Sequence, residues 1–559
     1  MTFVITQACC NDASCVAVCP VDCIHPTPDE ASFMTTEMLY IDPATCIDCS
    51  ACVYECPVDA IVSELDLEDD TQPYLDINAA YYDKHPIEPR PPQHTDSTPE
   101  FDYSSLRVAV VGSGPAGSYA AAELLAHSGV QVNMFDRLLT PYGLIRFGVA
   151  PDHPGTKAVI DVFRSMGSMP GFRMHLGVEV GTHVTHDELL RHHHAVIYAV
   201  GASSDRRMGV PGEDLPGSYA ATEFVAWYNG HPDYADREFD LSSERAVIVG
   251  NGNVALDVAR ILVSDVDDLD KTDIADHAIT ALRDSKIREV VVLGRRGPAQ
   301  AAYTNPEFLA LRFLPDVDIV IDPKDAELDE HSQRLLDSGE TEPSVRIKAE
   351  FAQEFSRTKS TGAPKRIVFR YLESPVEILG DEHVTGLRVV RNVLVEGSDG
   401  SLRAQASDLT ETIDTGLVLR SIGYLGVPVR DVPFDAARRT IANEGGRVVE
   451  PTTDQPVTGV YVTGWIKRGP SGVIGTNKKC ASDTVSMLLE DFEKSQLVAP
   501  EYDQSALASL LRERQPDVVD FNAWTRIDKA EIAAGAARQR PRVKFIDINS
   551  MLDVVRESG

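Results

Sequence analysis

The chain has 559 residues, room for roughly three to four domains, and its 43% hydrophobic and 25% charged content is that of a soluble globular protein. It has no apolar run of about eighteen residues to span a membrane, and the N-terminus MTFVITQACC has no basic or hydrophobic signal region, so a cytoplasmic protein is expected. The net charge of -34, with no Lys or Arg before Lys84, excludes nucleic acid as a partner, because phosphate binding needs cations.

Nine of the ten cysteines lie within the first 56 residues. The second run reads Cys46-x-x-Cys49-x-x-Cys52-x-x-x-Cys56-Pro57, the spacing of a bacterial cluster ferredoxin, in which three thiolates hold one cubane and the fourth reaches to another. The partner run is Cys9-x-x-Asp12-x-x-Cys15-x-x-x-Cys19-Pro20, with aspartate where the middle cysteine should be. The crossed-ligand rule assigns Cys46, Cys49, Cys52 and Cys19 to an intact 4Fe-4S cluster, and Cys9, Cys15 and Cys56 to an altered one. A carboxylate holds iron more weakly than a soft thiolate does. Either Asp12 ligates the fourth iron of a labile 4Fe-4S cluster, or that corner is empty and the cluster is 3Fe-4S. The irregular placing of Cys10 and Cys23 favours the second. Zinc is disfavoured, since structural zinc sites use paired C-x-x-C knuckles across a longer spacer.

Residues 1–75 therefore read as a small α+β ferredoxin-like unit, with strands at FVITQ and MLYID. Its acidity suits a carrier that docks on a basic surface. Residues 76–104, rich in proline and acid, read as a semi-extended linker that no core would claim.

From Leu106 the texture becomes α/β. The strand LRVAVVG leads into Gly112-x-Gly114-x-x-Gly117, an alanine-rich helix, and a second strand ending in Asp136. Strand, glycines, helix, strand and terminal acid in that order make a dinucleotide site: pyrophosphate on the helix N-terminus, ribose hydroxyls on the acid. A second such unit begins at RAVIVG with Gly250-x-Gly252-x-x-Ala255, but its later strand, REVVVLG, ends in Arg295-Arg296. Guanidinium groups there suit a 2'-phosphate, so this site should prefer NADP to NAD. The acidic stretch DVDDLDKTDIADHAITALRDS reads as a helical insertion. His192–His194 precede a strand and read as core residues more than as a metal site.

The strings VGSGPAG, YGLIRFGVAPDHP, GNGNVALDVAR, GRRGPAQ and GWIKRGPSGVIGTNKK make the chain from Leu106 onward resemble the adrenodoxin reductase-like ferredoxin-NADP reductases, and the whole resembles the actinobacterial fusions of a ferredoxin to such a reductase. The resemblance implies FAD in the first site and NADP(H) in the second, with an FAD domain (105–204 and 419–559) interrupted by an NADP domain (205–418). It implies that Ala116, Asp136 and Leu144 contact the adenosine half or diphosphate of FAD, and that Trp465, Gly472, Val473 and Ile474 contact its flavin side. It further implies that Gly252, Asn253, Val254 and Ala255 cradle the NADPH pyrophosphate, that Arg295 and Arg296 hold the 2'-phosphate, and that Glu307 contacts NADP. His153 and Asp257 are expected beside the flavin and nicotinamide as the catalytic polar network.

The expected activity is electron transfer from NADPH through FAD to the clusters, with ferredoxin, internal or external, and a downstream acceptor as partners. A flavin joins a two-electron donor to one-electron carriers, so no side chain need act as nucleophile. Two rivals keep part of this layout: a glutamate synthase small-subunit type, active only with its large subunit, and a non-catalytic redox sensor built on the Asp12 corner. A disulfide reductase would need a cysteine pair near the flavin, and Cys480 stands alone.

Overall fold

The computed structural model describes residues 2–87, 101–397 and 401–557. The N-terminal unit is built from two short antiparallel pairs, Phe3–Ile5 with Ile61–Ser63 and Ile24–His25 with Tyr40–Ile41. Each cysteine run opens a short helix, Ser14–Ala17 or Ala51–Glu55, and in both the preceding residue, Ala13 or Ser50, takes a left-handed conformation. This repeated sharp turn swings Cys15 and Cys52 back towards the preceding cysteines of their own runs.

The expected linker is corrected by a helix, Pro73–Tyr82. Pro73 suits a first helical turn, where its missing N–H costs nothing, and Tyr74, Ile77, Asn78 and Tyr81 fall on one buried face. The Asn78 amide ties the two strand pairs together: its Oδ1 accepts from Ile5 N (3.2 Å) and Ile41 N (2.9 Å), and its Nδ2 donates to Ile5 O (2.9 Å). The first unit thus extends well past residue 75. The rest of the expected linker from 88 to 100, including most of HPIEPRPPQHTDSTPE, lies outside the described residues.

Two mainly parallel sheets follow. The seven-stranded sheet runs, edge to edge, Asn443–Glu444, Arg447–Val449, Pro456–Val462, Ala195–Tyr198, Arg107–Val111, Gln131–Asp136 and Phe172–Leu176. Strands such as RVAVV are apolar throughout because helices cover both faces. On one face the helices Pro115–Leu125 and Thr476–Glu493 pack through Ala120, Ala121 and Leu124 against Ala481, Val485 and Leu488. The six-stranded sheet runs Ser218–Ala220, Leu417–Arg420, Arg245–Val249, Glu289–Gly294, Lys365–Tyr371 and Val317–Ile321, all parallel. It carries an antiparallel three-stranded appendage, Glu373–Leu379, Gly386–Glu396 and Leu402–Asp414. The acidic insertion forms the helices Val266–Leu269 and Asp276–Asp284.

The chain crosses between the sheets on an antiparallel ribbon, Ser204–Asp205 with Tyr424–Leu425. Leu417–Arg420 belongs wholly to the second sheet, so the return crossing lies beyond the expected boundary at 418. The N-terminal unit is packed against both sheet units. Cys10, Val58 and Ala60 enter the core of the first, and Leu309 of the second joins the core of the N-terminal unit. Glu37 accepts from Asn305 N (2.8 Å) and pairs with the buried Lys348 (3.2 Å). Among the described residues no helix is long and apolar enough to cross a membrane.

Candidate functional site

The first glycine loop lies between the strand Arg107–Val111 and the helix Pro115–Leu125, and its glycines have different physical reasons. Gly112 has φ +101°, and a Cβ there would lie 2.5 Å from the Ala199 carbonyl oxygen. A Cβ on Gly117 would lie 1.9 Å from the Gly112 oxygen. Gly114 faces open space, with nothing within 4 Å of where its Cβ would be, at the helix N-terminus where a pyrophosphate would approach. Gly114→Ala, at the ordinary φ of -67°, should therefore fold normally yet lose dinucleotide. Gly117→Ala should cost about 1–3 kcal/mol of stability as well. Flavin absorbance and denaturation midpoints of the two variants check this; full flavin occupancy in Gly114→Ala would remove the loop from the site.

Asp136 ends the second strand. Its Oδ2 accepts from Ser113 N (2.9 Å) and Ser113 Oγ (2.5 Å), and its Oδ1 from Leu138 N (3.0 Å), which holds the short acid close to the loop. Asp136 and Gly112 line a cleft of about 510 Å³ closed on the far side by Val427, Pro428 and Arg430. Leu144 follows Gly143, whose Cβ would touch Gly114 Cα at 3.0 Å, so Leu144 starts its helix beside the loop. Ala116 is closer still to Gly464, its Cβ 2.5 Å from where a Cβ on that glycine would be, which brings Trp465 to the same helix end. Gly472 has φ +79°, and the Val473 carbonyl is capped by Thr476 Oγ1 (2.7 Å) and Asn477 Nδ2 (3.2 Å). The residues expected around FAD thus come from four separated segments, three of which gather about the helix Pro115–Leu125 of the first.

In the second loop, Gly250 (φ +109°) would strike the Ser421 oxygen at 2.1 Å if it carried a Cβ, whereas Gly252 has only Ala302 Cβ nearby, at 3.9 Å. Asn253 is held by Thr304, accepting from its N at 2.8 Å and donating to its Oγ1 at 3.2 Å, and Val254 and Ala255 complete the first turn of Asn253–Val263. Arg295 and Arg296 follow the strand Glu289–Gly294. Neither has a carboxylate partner among the described residues; Arg296 Nη2 reaches only the Gln300 carbonyl, at 3.5 Å. Partial burial, and then the Arg295 charge, lower the Arg296 pKa. Two neighbouring guanidiniums without an acid have the charge and the donors that suit an anion.

His153, Asp257 and Glu307 are brought together, with their ligand-type atoms all within 4.8 Å of one another. A metal does not fit, because Arg260 already supplies the cation. Its buried guanidinium bonds Asp152 (2.5 and 3.1 Å) and Asp257 (2.8 Å) and lies 3.7 Å from Glu307. Glu307 is 3.9 Å from His153 Nε2 and accepts from Gln7 of the N-terminal unit at 3.4 Å. Burial raises the Glu307 pKa, and Asp257 adds to the rise against His153 and Arg260. Sequence reasoning missed Arg260, Asp152 and Gln7. Arg260 had a legible signal, lying three residues after Asp257 on one helix face; Gln7 had none.

In the N-terminal unit, Cys19, Cys46, Cys49 and Cys52 line one small hollow walled by Phe3, Ile24 and Ile41. Cys23, unassigned by motif, lines it too, with its sulfur 3.4 Å from that of Cys19. Burial, then repulsion from Cys46 and Cys19, pushes the Cys52 thiol up to about 11, and burial with repulsion from Cys9 and Cys56 raises Cys15 well above its ordinary value. In the same hollow the hydrogen bond with Cys23 lowers the Cys19 thiol to about 6, and a cation among these sulfurs would favour the thiolate form of all of them, which fits iron. The Asp12 carboxylate is engaged elsewhere: it accepts from Tyr119 OH (2.9 Å) and from Lys478 Nζ (3.3 Å).

The His192–His194 run is turned to separate partners. His193 bonds Asn133 and Leu189, His194 accepts from Arg107 N, and burial lowers all three pKa values. The buried Cys480 sulfur accepts from Gly464 N at 3.3 Å and Thr463 Oγ1 at 3.5 Å.

Comparison with known proteins gives the family and the fold. The family model described as pyridine nucleotide-disulphide oxidoreductase matches residues 106–291, and that of a 4Fe-4S binding domain matches residues 39–62. A probable ferredoxin/ferredoxin–NADP reductase of Mycobacterium leprae is 48% identical over 99% of this chain and 98% of its own length. The mitochondrial NADPH:adrenodoxin oxidoreductase of Salvelinus fontinalis is 41% identical over 81% of this chain and 92% of its own. Among solved structures, Mycobacterium tuberculosis FprA in complex with NADPH is 43% identical with a TM-score of 0.75, covering 81% of this chain and 99% of that one.

Proposed function

Since the chain belongs to the ferredoxin/ferredoxin–NADP reductases, we propose that it passes electrons from NADPH through FAD into its own N-terminal iron-sulfur unit, first to the Cys9–Cys15–Cys56 site and then to the Cys19–Cys46–Cys49–Cys52 site. One observation carries the order. Gly475 N donates to the Cys10 carbonyl at 2.7 Å, so the altered cysteine loop abuts the segment Gly472, Val473 and Ile474 assigned to the flavin side. The intact set instead opens to solvent at Cys49, beside the exposed Ile47.

When bound, FAD supplies the exchange between the paired electrons of NADPH and the single electrons that iron-sulfur clusters take. The chain's own residues do the positioning. Arg295 and Arg296 hold the 2'-phosphate, the loop Gly252–Ala255 receives the pyrophosphate, and His153, Asp257 and Glu307, fixed by Arg260, provide a polar floor where the nicotinamide meets the flavin. The altered site holds a 3Fe-4S cluster and the intact one a 4Fe-4S cluster. The units run over residues 2–87, 101–204 with 421–557, and 205–420.

Anaerobic NADPH should bleach the flavin band and then the cluster bands of the isolated chain, and chemical assay should find about seven irons per chain. NADPH that bleaches neither band would sink the reading. Sustained reduction of a soluble ferredoxin or cytochrome with no added subunit would separate it from the glutamate synthase type and from a sensor.

A further inference from the structure

Asp12 stands where a cluster ligand is expected, yet its side chain is 4% exposed and directed into the flavin unit. Its Oδ2 accepts from the hydroxyl of Tyr119, a buried residue of the helix Pro115–Leu125. Both of its oxygens lie 3.3 Å from Lys478 Nζ, on the helix Thr476–Glu493. Within its own loop it accepts from Ser14 N (3.2 Å) and Ser14 Oγ, and Lys478 also donates to Ser14 Oγ, at 3.1 Å. Beside this knot, a Cβ on Gly475 would lie 2.1 Å from the Asn11 carbonyl, so glycine there permits the backbone approach.

We propose that Asp12 is a docking residue: in place of an iron ligand, it clamps the altered cluster's loop to the flavin unit through Tyr119 and Lys478. The inference rests on the reading that Cys9, Cys15 and Cys56 hold a cluster that receives electrons from the flavin. It follows from three constraints. The N-terminal unit has no Lys or Arg before Lys84, so a cation that secures this loop has to come from the neighbouring unit, and Lys478 is that cation. A carboxylate shared by a phenol and an ammonium in a buried site makes strong charge-assisted hydrogen bonds, and turning to iron would break both and leave Lys478 without its acid. A cysteine in the same place could ligate iron but could not hold two donors, so the change of residue exchanges an iron corner for a fixed distance between flavin and cluster.

The test uses the full holo-chain and the variants Lys478→Met, Tyr119→Phe and Asp12→Cys. Lys478 is 41% exposed, so Lys478→Met should keep the fold. Hydrogen exchange at residues 10–14 and 474–478 should rise about tenfold or more in Lys478→Met with Tyr119→Phe. NADPH should still bleach the flavin at the wild-type rate, and transfer onward to the clusters should slow. The 3Fe-4S signal of the oxidised protein should persist in that double variant and give way to a 4Fe-4S cluster in Asp12→Cys, with the same loosening of the loop. Unchanged exchange in the double variant would overturn the clamp. So would a wild-type protein, isolated without oxygen, whose two clusters each carry four irons and whose altered cluster loses one in Asp12→Asn. Failure of NADPH to bleach the flavin in the wild type would instead strike the proposed function and leave the exchange result standing.

Discussion

Replacing Arg295 and Arg296 together with alanine raises the KM for NADPH by about a hundredfold or more, since each charge-assisted hydrogen bond removed costs roughly 1.5–3 kcal/mol, and leaves the KM for NADH nearly unchanged. The asymmetry follows from charge. The two guanidiniums are adjacent at the end of Glu289–Gly294 and no acid among the described residues neutralises them. Without nucleotide they repel each other, which is why the Arg296 pKa is depressed by its neighbour as well as by burial. A 2'-phosphate relieves that repulsion and accepts from both forks; NADH brings no such group, so it gains nothing from them. Steady-state kinetics with both nucleotides check the result. Equal losses for NADPH and NADH would mean that the pair only supports the strand end. Lysine at both positions should recover part of the preference, because point charge remains while the forked geometry is lost.

What could be read from the sequence was local. The strand, glycine and helix order at Gly112–Gly117 and Gly250–Ala255 is a pattern within about thirty residues, and the two parallel sheets follow from it. The hollow lined by Cys19 with Cys46, Cys49 and Cys52 was likewise implied by spacing, because the pseudo-symmetric repeat of the two runs dictates the crossing. The helix Pro73–Tyr82 was hidden by composition: the acids and prolines around it suggested a tether, whereas Tyr74, Ile77 and Tyr81 recur at helical spacing on a face that the short strands of the first unit cannot cover otherwise. The role of Asp12 was beyond any local pattern. Its partners are 107 and 466 residues away, and the motif alone could offer only a ligand or a gap. The same holds for Gln7 at Glu307, which couples the first unit to the cluster of His153, Asp257 and Arg260 across 300 residues.

A buried acid also ties the two dinucleotide units together. Asp273, between the helices Val266–Leu269 and Asp276–Asp284 of the second unit, receives Lys157 of the first at 2.6 Å and Lys544 of the C-terminal segment at 2.9 Å. Asn229 Oδ1 accepts from both ammonium groups at 3.3 Å. Asp273→Asn keeps the shape and strands two buried cations, so it should destabilise the chain by about 3–5 kcal/mol at pH 7. Burial alone would raise the Asp273 carboxyl, but Lys157 and Lys544 outweigh it and hold it well below the usual carboxylate range. A folded-state pKa depressed in this way gives stability that is complete above the unfolded value of about 4 and is lost as pH falls from there through the folded value. The gap between wild type and Asp273→Asn should therefore be widest near neutrality and narrow as pH falls below about 4. It should narrow again at alkaline pH, where the unpaired lysines of the variant can shed their protons. Denaturant midpoints across this range measure the gap. A difference that does not vary with pH would show that Asp273 acts by packing alone, and that the charge triplet does not hold the flavin and nicotinamide units together.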